Sequence, residues 1–173
     1  MAEHLLMVHG NAFVPQQMGD DPQLPIFGPL RQLSDVLEAP EGRSENVITF
    51  SEVIGLHSGW GVTFRGKRDW RNWFHVPLPS IQTIYNTPAT LDEVGVLLSV
   101  TESAVLEDIH VWSGSLQLEK FEHLALTGNF LRRLTQPRSL IGGVGLSVHV
   151  AFGASDSSVT FNSASAKYVT KDP

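Results

Sequence analysis

From Val47 onward the chain is patterned with a period of two. Trp60, Val62 and Phe64 alternate with Gly61, Thr63 and Arg65. Phe74, Val76 and Leu78 alternate with Trp73, His75 and Pro77. The same alternation places Val94, Val96, Leu98 and Val100 on one face of Leu91–Thr101. It sets Ile109 and Val111 against Asp108, His110 and Trp112, and Val144, Leu146, Val148, Val150 and Phe152 against Gly145, Ser147, His149 and Ala151. Such alternation marks strands with one buried and one polar face. Short strands also follow at Val47–Ile54, Leu116–Phe121 and Ser158–Tyr168. Gly59–Ser80 reads as two strands joined by a charged hairpin loop. Asn86-Thr87-Pro88 reads as a break, Ser113-Gly114-Ser115 as a turn, and Phe130–Pro137 as a polar, basic loop.

About eight to ten strands with turn residues between them predict an all-β fold, an antiparallel β-sandwich of jelly-roll-like type. Its expected core is Val62, Phe64, Phe74, Val76, Val96, Leu98, Ile109, Val111, Leu146, Val148, Val150 and Phe161.

Residues 15–46 break the pattern. They hold five of the ten prolines, and only Leu30–Leu37 has helical spacing. This Pro-rich N-terminal insertion is too long for a hairpin loop and too apolar for a free linker, since Leu24, Ile26, Phe27, Leu30, Leu33 and Leu37 need covering. The expectation is one domain over residues 1–173, with 15–46 as an arm that covers the sandwich or a second copy.

Charge narrows the partners. The net charge is −6; residues 1–55 carry −6 (two bases, eight acids), 56–80 carry +3, 81–138 carry −3 and the rest 0. Arg65, Lys67, Arg68 and Arg71 form a basic island on an acidic chain. Nucleic-acid binding is disfavoured, because it needs a broad basic face. There is no cysteine. The N-terminus lacks a basic start, and no apolar run approaches the ~18 residues that cross a bilayer. The expected setting is therefore cytoplasmic, away from membranes.

Several pieces resemble an uncharacterised family of small bacterial proteins with a β-sandwich domain. They are His9-Gly10-Asn11, Gly59–Gly66, Asn72-Trp73-Phe74-His75-Val76-Pro77-Leu78-Pro79, Asp108–Val111, Gly143–Val150 and Thr160–Tyr168. The resemblance implies the fold and brings no catalytic residue with it.

The sequence lacks a G-x-S-x-G elbow, an H-E-x-x-H motif and a P-loop. No enzyme activity and no cofactor are expected. One constellation stands out. With Phe74, Ile109 and Val148 inward, His75, His110 and His149 point outward, as do Trp73 and Trp112. Imidazoles can hold a metal, and indoles stack on sugar rings. Three readings follow. The first is a non-catalytic module that self-associates or binds a protein. The second is a lectin-like domain in which Trp70, Trp73 and Trp112 stack on sugars while Asn72, Asp69 or Asp108 bond hydroxyls, with His75 and His110 on the same ligand-binding face. The third is a metal held by His75, His110 and His149, although these lack the paired spacing of a cupin. His4, His9, His57 and His123 read as ordinary residues.

Overall fold

The structure, a computed structural model, describes residues 2–16, 47–49, 54–66, 68–101, 103–154 and 157–170. The Pro-rich segment beyond Gln16, with the helix expected at Leu30–Leu37, lies outside the described residues, as does Lys67.

The protein is an antiparallel β-sandwich. In chain order its strands are β1 (Ala2–His9), β2 (Val14–Pro15), β3 (Val47–Thr49), β4 (Ile54–Ser58), β5 (Gly61–Arg65), β6 (Trp70–Leu78) and β7 (Thr83–Ile84). They continue with β8 (Thr87–Thr101), β9 (Ala104–Ser113), β10 (Leu116–Phe121), β11 (Phe130–Ser139), β12 (Val144–Phe152) and β13 (Ser158–Thr170). One sheet runs β11-β8-β13-β5-β4-β3, with β1 also on β13 and β7 on β8; the second runs β10-β9-β12-β6-β2. Long β13 pairs with β8 along one edge. Its other edge is shared by β5, against Ser158–Phe161, and β1, against Ser163–Thr170.

Both sheets turn their apolar phase inward. All twelve core residues expected from alternation are at most 4% exposed. Phe74 is at the middle of the core, with ring centroids 4.8 Å from Phe64, 5.2 Å from Phe161 and 6.4 Å from Phe152. Phe13 stacks on Phe161 at 4.0 Å, brought there by the 3-10 turn Gly10–Ala12. That turn needs Gly10, because a Cβ there would collide with the Phe161 carbonyl.

Four local expectations are corrected. Arg65–Arg71 does not close a hairpin: β5 pairs with β4 and β13, β6 pairs with β12 and β2, and the chain crosses between sheets there. Two strands that face each other across a core show the same alternation as two that are paired, so phase could not separate the cases. Trp60 is not inward. The β4–β5 turn is Gly59-Trp60, and the indole is 60% exposed. Phe130–Pro137 belongs to strand β11, which pairs with β8 through a register shift between Arg133 and Arg138. It is an edge strand with only Phe130 and Leu134 buried, so its composition reads as a loop. Thr87-Pro88 opens a strand rather than breaking one. The break is the two-residue turn Tyr85-Asn86, with φ of 48° and 64°. Positive φ at both central residues is what a tight hairpin of this twist requires.

Phe74→Ala is expected to cost about 3–5 kcal/mol, as emptying a packed aromatic site does. Urea unfolding with an unchanged slope checks this; a loss under about 1 kcal/mol would mean that the ring is not where the core closes.

Candidate functional site

The outer face of the five-stranded sheet is organised by β12. Its inward residues are large, whereas its outward residues are Gly145, Ser147, His149 and Ala151, small at every position but one. The flanking strands carry the bulk. In register, Pro77, Gly145 and Trp112 form one row; His75, Ser147 and His110 form the next; Trp73, His149 and Asp108 form the third.

Strands β6 and β9 are two ladder steps apart, about 9.6 Å. The Trp73 and His110 rings, from adjacent rows, nevertheless meet at 4.6 Å on a diagonal past the small Ser147. Trp73 also stacks on His149 at 4.5 Å and 15°, and His110 is 6.3 Å from Trp112. Ser147 is left only 8% exposed although its phase is outward. The five outward residues Trp73, His75, His110, Trp112 and His149 thus lie on one face, four of them in one chain of ring contacts.

Pro77 fits here for a backbone reason. The N–H of Gln16 bonds the carbonyl of Trp73 at 2.7 Å, so the main-chain groups of Trp73, His75 and Pro77 face β2. Strand β2 pairs only with Phe74 and His75, so Pro77 meets no ladder that its missing N–H would break.

The polar groups are already oriented. His75 Nε2 lies 3.2 Å from Gln16 Oε1, and Nδ1 lies 2.9 Å from Ser147 Oγ. Gln16 Oε1 can only accept, which assigns the proton to Nε2 and lets the Ser147 hydroxyl donate to Nδ1. Burial holds His75 below its ordinary 6.5. Burial also lowers His110, outweighing the upward pull of Glu122 and Asp108. At Asp108 burial works against the charge, but the His123 N–H at 2.9 Å and the His149 ring outweigh it, and the carboxyl falls below its usual range.

Two residues expected to bind belong elsewhere. Trp70 and Asn72 share the phase of Phe74. Trp70 packs at 6.0 Å on Phe152, and Asn72 is 2% exposed, so both face inward. The three histidines do not gather around a point either. Among the described residues the group able to share an ion is Glu107, Asp108 and His149. In the basic island, Arg65 and Arg68 are exposed, and Arg71 is paired with Glu107 at 3.1 Å.

Sequence reasoning missed Glu107. Strand β9 has a register shift opposite His149/Val150, so Leu106 and Ile109 are both inward and Glu107 and Asp108 are both outward. The signal was present as Leu106 and Ile109 three residues apart in a strand otherwise alternating by two.

No family model matches the chain, and no curated protein does. Among solved structures, a low-affinity xylan-binding module from the gut symbiont Roseburia intestinalis aligns over 97% of this chain and 96% of its own. Its TM-score is 0.46 and its identity 8%. TmCBM61, solved with β-1,4-galactotriose, aligns over 67% and 74%, with TM-score 0.38 and 15% identity. A Stig cyclase from Fischerella aligns over 65% and 64%, with TM-score 0.41 and 7% identity.

A pH dependence follows from the buried imidazoles. His75 and His110 have folded values below their ordinary one. Their stabilising contribution is therefore full above about pH 6.5 and is lost as pH falls through the lowered values. Asp108 is also depressed and adds a further loss at more acidic pH. The melting temperature is expected to fall from neutral to mildly acidic pH, and less steeply in His75→Gln/His110→Gln. An equal slope in the double variant would show that these rings are not the titrating groups.

Proposed function

We propose that the protein is a non-catalytic binding module whose outward β6–β12–β9 face takes carbohydrate. The observation that carries this is the placement of Trp73, stacked on His149, and Trp112, opposite Gly145, on the same side of one sheet with His110 between them. A sugar ring offers an apolar C–H face and a rim of hydroxyls. Indole supplies apolar area with a polar edge, and His110 stands between the two indoles. At one end of the face the exposed Arg71 guanidinium, held by Glu107 through Nε and Nη2, keeps its remaining N–H groups as donors for a hydroxyl. At the other end Gln117 sits beside Trp112 in register. The rings are held by one another before any ligand arrives, which reduces the ordering cost of binding. The rows run across a sheet surface, which suits a polymer chain lying on it.

Affinity electrophoresis against soluble polysaccharides, with xylan and β-1,4-galactan among the first probes, tests the reading. Wild type should be retarded by at least one of them. Trp73→Ala and Trp112→Ala should each weaken binding about tenfold, the worth of one stacked indole. Trp60→Ala, remote on the other sheet, should bind as wild type. No retardation on any polymer, or equal damage from Trp60→Ala, would reject the proposal.

Association of copies is a second reading, favoured by the other sheet. Its outer face carries the row Leu131, Gly95, Ser165 and Met7, with Leu131 55% and Met7 58% exposed. Leu5 and Leu97 extend this apolar surface. Light scattering at micromolar concentration should then give a mass above 19.0 kDa that Met7→Lys/Leu131→Lys returns to the monomer value. A wild type that is monomeric throughout would remove this reading and leave the glycan proposal intact.

A further inference from the structure

We propose that Glu107, Asp108 and His149 form a site for a first-row divalent cation of zinc type, beside Trp73 and independent of whether sugar binds. His149 Nδ1 lies 3.0 Å from Asp108 Oδ2 and 3.3 Å from Glu107 Oε2. Ligands about 2.0–2.1 Å from one ion are separated by roughly 2.9–3.4 Å, from octahedral to tetrahedral geometry. Both distances fall in that window, and the three donor atoms lie within 4.8 Å of one another. One imidazole with two carboxylates is a mixed nitrogen and oxygen set. It suits zinc and its neighbours better than calcium, which prefers oxygen alone.

The backbone builds the site. In a regular strand Glu107 and Asp108 would point to opposite faces. The bulge in β9 puts both on the outer face, opposite His149. Bulges that re-aim a side chain in this way recur beside functional sites. Asp108 and His149 also have their own support. The His123 N–H holds Asp108 Oδ1 at 2.9 Å and leaves Oδ2 toward the imidazole. The Trp73 indole fixes the plane of His149. Such outer contacts hold ligands in place and tune affinity. Glu107 differs: Arg71 Nε lies 3.1 Å from Oε2, the oxygen that faces the imidazole.

Arg71 also opposes a cation. Its guanidinium competes for Glu107 and adds a positive charge close to the site. It is 60% exposed and free to swing outward. Removing it should therefore tighten the site, whereas removing any of the three ligands should weaken it. A surface interaction of this kind is worth about a few-fold in affinity.

The test is calorimetric titration of Zn2+ into the full chain after chelator treatment, near neutral pH. One zinc per chain is expected. Asp108→Asn and Glu107→Gln should each weaken it at least ~10-fold, and Arg71→Gln should strengthen it a few-fold. Cu2+ bound at the same place should quench Trp73 fluorescence, and Trp73→Phe should abolish that part of the quenching. Should a ligand variant fail to fold, imidazole NMR signals of the wild type decide: zinc should shift His149 first. Absence of zinc binding, affinity unchanged in Asp108→Asn and Glu107→Gln, or zinc shifting His75 or His110 while His149 stays put would each overturn the site. A zinc site confirmed with no polysaccharide retardation would reject the glycan reading alone.

Discussion

The outward side of β12 is the constraint on which the rest of the face depends. A central strand flanked by β6 and β9 must present something to solvent at every second position. Here that is Gly145, Ser147 and Ala151, with one imidazole. Small residues in a central row let large ones from both sides lean inward and meet. Trp73 and His110 meet past Ser147, the small residue in the row of His110. The inward side of the same strand, Val144, Leu146, Val148, Val150 and Phe152, is buried throughout. One strand thus anchors the core below and shapes a shelf above. A one-residue slip in its register would exchange the two roles.

Much of this was legible in the sequence. Alternation alone identified the core around Phe74 and the shared outward phase of Trp73, His75, His110, Trp112 and His149. The misreadings came from properties that alternation does not carry. Trp70 and Asn72 stand close to Trp73 in the chain but have the opposite phase, so proximity in sequence set them on the wrong face. The β5–β6 crossover looked like a hairpin because facing strands and paired strands share one pattern. Strand β11 was hidden by its polar edge. The bulge that brings Glu107 beside Asp108 shows in the sequence only as a single three-residue spacing, and strict alternation back from Ile109 leaves Glu107 in the inward phase.

The two outer faces differ in kind. On the eight-stranded sheet, Lys167 is paired with Glu3, Asp92 and Glu93 at 3.4–3.6 Å, and Arg133 reaches Asp92 at 3.6 Å, next to the exposed Leu131–Met7 row. On the five-stranded sheet, rings occupy the middle, with charges at the end near Arg71 and along β10 beside His110. The ion pairs of the first face neutralise one another inside an apolar surround. On the second face one group of pairs meets at the Glu107–Asp108–His149 corner, where one carboxylate is shared between a guanidinium and an imidazole, and another joins Lys120 to Glu122 at 3.3 Å beside His110. A ligand touching Trp73 would feel that corner through His149, since the two rings are stacked.

On the proposed carbohydrate face, ligand contact falls on Trp73 and Trp112. The indole N–H region of a 15N-labelled sample offers one signal for each of the four tryptophans. Titration with an oligosaccharide of a retarding polymer should move the Trp73 and Trp112 signals and leave Trp60, at the β4–β5 turn, and Trp70, half-buried against the core, unmoved. Movement of Trp60 with Trp73 and Trp112 unchanged would place the ligand elsewhere and contradict the account.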